Sequence, residues 1–434
     1  MKKSVVILLL ALVAIIIFSP AIVGKIAERS VDENLNWAAT ESGEFAVTAL
    51  NFDHGWFSSE GQHRIELREG STRDLMLTID DEVPVFVIDT RLDHGLIPVS
   101  SMGRDGGSMV PGLGSAVSTL SLEYSNGELI EVPGTIYTEV GLTGNVDSTY
   151  VLEAGSREAE GAAITWQPSS VNVVINPSSG RINAKGDVGP LTIVDEEVTA
   201  TVDGMTFSAD QAATRYGFST GSIEASLGQV ALKSDVIESI VFRGMNVVAN
   251  TALDDDKVNS DIKAEYHGPE VPGVGEVSVF FDAKIDNVDA AAVGAISAKL
   301  RNASPSSDPT TIMMSAEKEL MDLVAAGFEL DIEQLDVALP MGTLVTSMTL
   351  MVPESDRDTF RWTSLLQSPE AELDISVPDE LMQFIMMMNP EASMVVGMGY
   401  LKKDGDDYVM DADLKKGLLT INGAPIPIPF GAFQ

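Results

Sequence analysis

From about Glu44 onward the chain alternates between apolar and polar residues, as in His63-Arg-Ile-Glu-Leu67. Successive side chains of a β-strand point to opposite faces, so the pattern predicts strands with one wet face. The same alternation occurs at residues 75–79, 191–193, 198–202, 277–281, 328–332, 335–339 and 373–377. Between 328–332 and 335–339 the apolar parity slips by one residue, which predicts a bulge. Turn formers separate the runs: Asn126-Gly127, residues 176–180, Asp203-Gly204, Asp404-Gly405 and Asn422-Gly423.

Helical periodicity is rare. Residues 311–326 carry a stripe of Ile312, Ala316, Leu320, Leu323 and Val324. Residues 379–388, just after Pro378, are apolar on nearly every side through Leu381, Met382, Phe384, Ile385, Met386, Met387 and Met388. A helix lying on a sheet hides one face, so these side chains need further cover from the 311–326 helix, a partner or a lipid. The 101–114 stretch, rich in glycine, serine and methionine, reads as a loop, and 301–309 as an internal boundary. The expected fold is mainly β, within the β-rich α+β class: a long, curved antiparallel sheet with a few covering helices.

The amino-terminal pattern is different. Lys2 and Lys3 precede 21 uncharged residues from Ser4 to Gly24, close to the ~20 that cross a bilayer as a helix. Ser19-Pro20-Ala21 supplies small residues of the kind signal peptidase cuts after, but the apolar run is long for a removed signal. The reading is an uncleaved transmembrane anchor over 1–25 with its amino terminus in the cytoplasm. A helical stalk over 26–43 follows, then a β-rich region over 44–300 and a second over 301–434 that carries the methionine-rich helices.

Composition narrows the function. With 65 acidic and 27 basic residues the formal charge is −38, which repels phosphate backbones and speaks against nucleic-acid binding. The chain has no cysteine, so disulfides, thiol catalysis and a lipid-modified cysteine are excluded.

Only four histidines are present, and two of them sit in a repeated Asp-His-Gly: Asp53-His54-Gly55 and Asp93-His94-Gly95. Two Asp-His pairs could make a metal set for a hydrolase. Adjacent strand residues face opposite ways, however, and aspartate before a glycine caps a turn. These triplets therefore read as structural turns, like Asn422-Gly423. Gly217-Phe-Ser-Thr-Gly221 fits the nucleophile pattern G-x-S-x-G, but polar residues 208–215 before it make no buried strand. The acidic runs 254–256 and 404–413 lack the spacing of a calcium loop. No metal, cofactor or catalytic residue is expected.

The anchor-plus-stalk start, Gly55-Trp-Phe-Ser-Ser59, Leu92-Asp-His-Gly-Leu-Ile-Pro98 and the ending Gly417-Leu-Leu-Thr-Ile-Asn-Gly-Ala-Pro425 resemble the YdgA-like family. These are uncharacterised envelope proteins of Gram-negative bacteria. The resemblance implies a single inner-membrane anchor and a β-rich periplasmic domain. The expectation is a non-enzymatic envelope-maintenance protein that binds a protein partner or an apolar ligand along its sheet. The alternatives are a lipid carrier with an apolar groove and a metal-dependent hydrolase using the Asp-His-Gly motifs. Leu381, Met382, Phe384, Ile385, Met386 and Met387 are the candidate apolar contact surface.

Overall fold

A computed structural model describes residues 45–54, 58–68, 82–94, 114–141, 143–159, 162–176, 178–195, 198–234, 240–271, 274–302, 314–358, 360–362 and 368–426, with Arg73 and Leu77. The expected anchor, the stalk, loop residues 101–113, residues 303–309 of the boundary and residues 311–313 of the first helix lie outside them. No helix among the described residues is long and apolar enough to cross a membrane. The chain forms two compact units: 1–213 with 227–239 and 301–308, and 214–226 with 240–300 and 309–434.

The fold is mainly β. In the first unit, β1 (Phe45–His54), β2 (Ser58–Leu67), β3 (Val85–His94), β4 (Gly114–Glu123), β5 (Leu129–Val140) and β6 (Val146–Leu152) pair as an antiparallel meander. It continues through β9 (Ser169–Asn176), β10 (Arg181–Val188) and β13 (Met205–Ala213). A smaller sheet joins β7 (Gly155–Ala159), β8 (Ala162–Trp166), β11 (Leu191–Val194), β12 (Val198–Val202) and β15 (Val230–Ser234).

One face of the large sheet is sealed. From Ala116 onward β4 alternates between buried and half-buried positions, and β6 alternates between buried positions and half-buried or exposed ones. Directly paired residues share a face, and the cross-strand row Ile65, Phe86, Leu122 is at most 7% exposed. Buried hydroxyls on that face bond each other, Thr90 with Ser118 at 2.9 Å and Thr138 with Ser148 at 3.2 Å. Aromatic side chains close over glycines: a Cβ on Gly134 would stand 2.5 Å from the Tyr150 ring. The Tyr150 hydroxyl donates to the Pro133 carbonyl at 2.6 Å, and burial pushes its phenol pKa up.

In the second unit, β17 (Gly244–Asp254), β18 (Lys257–Val271), β19 (Gly275–Asp289), β20 (Phe328–Leu339), β21 (Gly342–Val352) and β22 (Glu370–Pro378) form another antiparallel meander. β24 (Asp407–Lys415), β25 (Leu418–Ile421) and β26 (Ala424–Ile426) extend it, and β23 (Lys402–Asp404) also pairs with β24. β14 (Ser219–Leu227) and β16 (Ile240–Phe242) are the remaining strands of this unit. The two apolar runs 328–332 and 335–339 belong to one strand, β20, and its register slips between Ile332 and Leu335. The parity slip in the sequence is that bulge.

Four helices are described: α1 (Ala290–Asn302), α2 (Glu317–Ala325), α3 (Asp379–Met388) and α4 (Pro390–Gly397). α1 and α4 correct the sequence reading, which placed no helix there. Asp289 starts α1 by accepting from the Ala292 amide at 2.8 Å and pairs with Arg357 at 2.5 Å. Asn389 starts α4 by accepting from the Glu391 amide at 3.0 Å, with Pro390 in the first turn. A third correction concerns residues 75–79, expected as a strand. All but Leu77 lie outside the described residues, and Leu77 is helical.

Candidate functional site

The Asp-His-Gly triplets end β1 and β3, which flank β2 and run parallel to each other. Asp53 pairs with Glu60, which pairs with Arg91; His54 pairs with Ser59, which pairs with Leu92. Both motifs thus reach one rim of the sheet, about 10 Å apart across the intervening strand. Asp93 is 5% exposed and lies 3.9 Å from the Arg91 Nε. Gly55 and Gly95, and the side chains of Asp53, His54 and His94, lie outside the described residues. Among the described residues no three metal-ligating side chains cluster.

The other sequence patterns resolve into hairpins. Ser219 opens a strand, β14, whereas the nucleophile motif needs a strand leading into a helix. Asp256 bonds Arg215 and the Tyr216 hydroxyl, and Asp255 takes the turn with φ +52°. Gly405 turns β23 into β24 with φ +62°. Asn422 and Gly423 turn β25 into β26 with φ +50° and +75°. Asn422 does more than turn the chain. Its side-chain oxygen accepts from the Asp411 amide at 3.1 Å, and its Nδ2 donates to the Gly399 and Tyr400 carbonyls at 3.1 and 3.0 Å.

α3 and α4 form a helical pair on the sheet. Leu381 and Met382 are core residues, 2% exposed, so they present no contact surface. With Val377 they pack against Leu339, Leu344, Ile375 and Tyr408, and α4 supplies Ala392 and Val396. The cover for α3 is therefore α4; Leu323 of α2 packs instead in a separate cluster with Val258, Val288 and Ala290. Phe384, Ile385 and Met386 are half-buried. Met387, Met388, Met394 and Met398 are exposed, at 73%, 67%, 61% and 55%. Asp379 holds the pair to β23 through Lys403 at 2.8 Å, which draws the carboxyl pKa below its ordinary value.

Between the α1–α2 and α3–α4 clusters runs a cross-strand row: Ala249, Ile262, Ala283, Ile332, Met348, Leu373, Ala412, Ile421. None of these is among the hydrophobic residues of either helix-covered cluster. Only Ala283 is buried; Ile262 is 39% exposed and the others are half-buried. The opposite face, one residue along, reads Asn250, Asp261, Lys284, Asp331, Thr349, Glu372, Asp413. The first row is wholly apolar and the second wholly polar, with neither sealed. This row could not be read from the sequence, because register between distant strands is not written in any one of them. α4 could have been found from Asn389-Pro390.

Fold and surface together define a mainly β protein with one closed meander and one meander whose apolar face stays partly open. Residues 1–429 match the family model described as bacterial protein of unknown function, DUF945, and the chain belongs to that family. Neither the curated proteins nor the solved structures give a match.

Proposed function

We propose that this chain is a non-enzymatic binding protein of the Gram-negative envelope. In this reading residues 4–24 hold it in the inner membrane, and the apolar face of the second unit's sheet, in the periplasm, takes up an apolar ligand or partner. The half-buried row from Ile262 to Leu373 carries the reading. Burying such an aliphatic side chain from full exposure is worth roughly 1.5–3 kcal/mol, so a ligand that covers several half-buried ones gains the unrealised part of each. The resemblance to YdgA-like envelope proteins and the 21-residue uncharged run support the location. Residues 26–434 should bind a naphthylamine dye that fluoresces in apolar surroundings. Ile332→Asp and Leu373→Asp should weaken that binding several-fold, and Thr349→Asp on the polar face should not. Equal dye binding by all three variants would defeat the proposal.

The exposed methionines of α3 and α4 favour a second reading, a protein partner docked on that helical pair. Thioether side chains adapt to varied partners, as on promiscuous binding surfaces. Replacing Met387 and Met388 together by glutamate should then remove crosslinked partners while leaving dye binding intact.

A further inference from the structure

On the reading that the open sheet binds through its apolar face, we infer that its occupant is a lipid acyl chain lying across the strands along the Ile262–Leu373 row. The row contains only aliphatic and thioether side chains over eight consecutive strands. The adjoining rows add little polarity. One reads Thr251, Ser260, Ile285, Leu330, Leu350, Ala371, Leu414, with the Thr251 and Ser260 hydroxyls bonded to each other at 3.0 Å, and the other Val247, Ala264, Phe281, Leu335, Thr346, Ile375, Met410. The main-chain groups between these strands are engaged in the antiparallel ladders.

An occupant of this surface therefore finds almost no donors or acceptors. A protein segment laid there brings peptide groups, and a buried peptide group without a partner costs more than a neighbouring methyl gains. An acyl chain brings none. The row is long enough to seat an acyl chain lengthwise: eight strands at ~4.8 Å spacing span roughly 34 Å, about twice the ~15 Å of one leaflet, half of a ~30 Å hydrocarbon core. Charge selects among lipids. The reverse face carries Asp261, Asp282, Asp331, Glu372 and Asp413 against Lys263, Lys284 and Lys415, on a chain of net charge −38. Anionic headgroups are repelled by such a surface, so a zwitterionic headgroup is the better match. The uncharged run at residues 4–24, long enough to enter a bilayer, brings the chain to a supply of lipid.

The absence of cysteine makes a direct test practicable. Single variants Ile262→Cys and Leu373→Cys place a bimane label on the row, Thr349→Cys places one on the polar face, and Met387→Cys one on α3. The full-length chain is reconstituted into phosphatidylcholine vesicles whose acyl chains carry, or lack, bromine, which quenches bimane on contact. Both row labels should be quenched several-fold more than the Thr349→Cys label. Quenching that is equal on the two faces, confined to Met387→Cys, or absent would overturn the inference. Unfolding temperatures matching the parent chain show that a variant has folded, and either row position suffices if the other fails. If row labels stay bright while Leu373→Asp still weakens dye binding, the face takes something other than acyl chains, such as a protein segment, and only the occupant is wrong. If dye binding is indifferent as well, the parent reading fails with it.

Discussion

The two units use the same alternating strands and finish them differently. In the first, Ile65, Phe86 and Leu122 lie in one cross-strand row and are nearly inaccessible. In the second, Ile262, Ile332, Met348 and Leu373 occupy an equivalent row and remain half-buried or exposed. Alternation fixes which face is apolar; what packs on that face decides whether it is closed. Tyr124, Trp166 and Phe207 pack against the first core. In the second unit, helix residues join the hydrophobic clusters only at the two ends of the described apolar face.

The largest expected effect breaks this comparison most directly. Leu122 is 1% exposed, so Leu122→Ala should cost about 3 kcal/mol, transfer plus cavity. Leu373→Ala, at a half-buried site, should cost only about 1 kcal/mol, because much of its transfer gain is not realised. Amide hydrogen exchange, followed separately in each unit, reads both losses. Equal costs would mean that the second sheet is sealed and that the contrast is false.

The sequence carried much of the local fold and little of the site. Strands at 198–202 and 328–339, the bulge in β20 and the glycine turns depend on residues within a few positions of each other, and such signals are visible in one chain. α3 begins and ends where its apolar block does, at Asp379 and Met388. α1 was obscured because its alanines and small residues carry weak periodicity, although Asp289 is a good starting residue. The open row combines residues from β17 to β25, more than 170 positions apart, and only the pairing register assembles it.

A smaller effect sharpens the comparison at the helical pair. Asn422 ties the β25–β26 turn to the chain leaving α4 through Gly399 and Tyr400. Asn422→Ala removes the two donors and the acceptor that meets the Asp411 amide. The expected loss is about 2 kcal/mol, with faster exchange confined to the second unit. Asn422→Asp keeps the acceptor and should fall between. If exchange in the first unit accelerates equally, the units do not respond separately.

The smallest expected effect is electrostatic and tests whether the α3–α4 pair is held from outside the apolar cluster. Asp379 bonds Lys403 and Gln383, and these bonds hold its carboxyl below the ordinary carboxylate value. Its partner Lys403 is shifted up by the same contact. For Asp379 the folded value is the lower one, so its contribution is present above the unfolded value of ~4 and fades as pH falls through the folded value. For Lys403 the folded value is the higher one, so its contribution is present below the unfolded value of ~10.4 and fades as pH rises through the folded value. Between these limits the pair should contribute a constant, small amount, because both groups are solvent-screened and salt weakens them. Exchange of the α3 amides should therefore show a salt-dependent acceleration on acidification in the parent chain, and Asp379→Asn should remove that acceleration. The first unit, which lacks this contact, should show no change with the substitution at any pH. An acid response of α3 that survives Asp379→Asn would place the acid-sensitive contact at another carboxylate, and no acid response even in the parent chain would leave the hold on α3 to the packing of Leu381 and Met382.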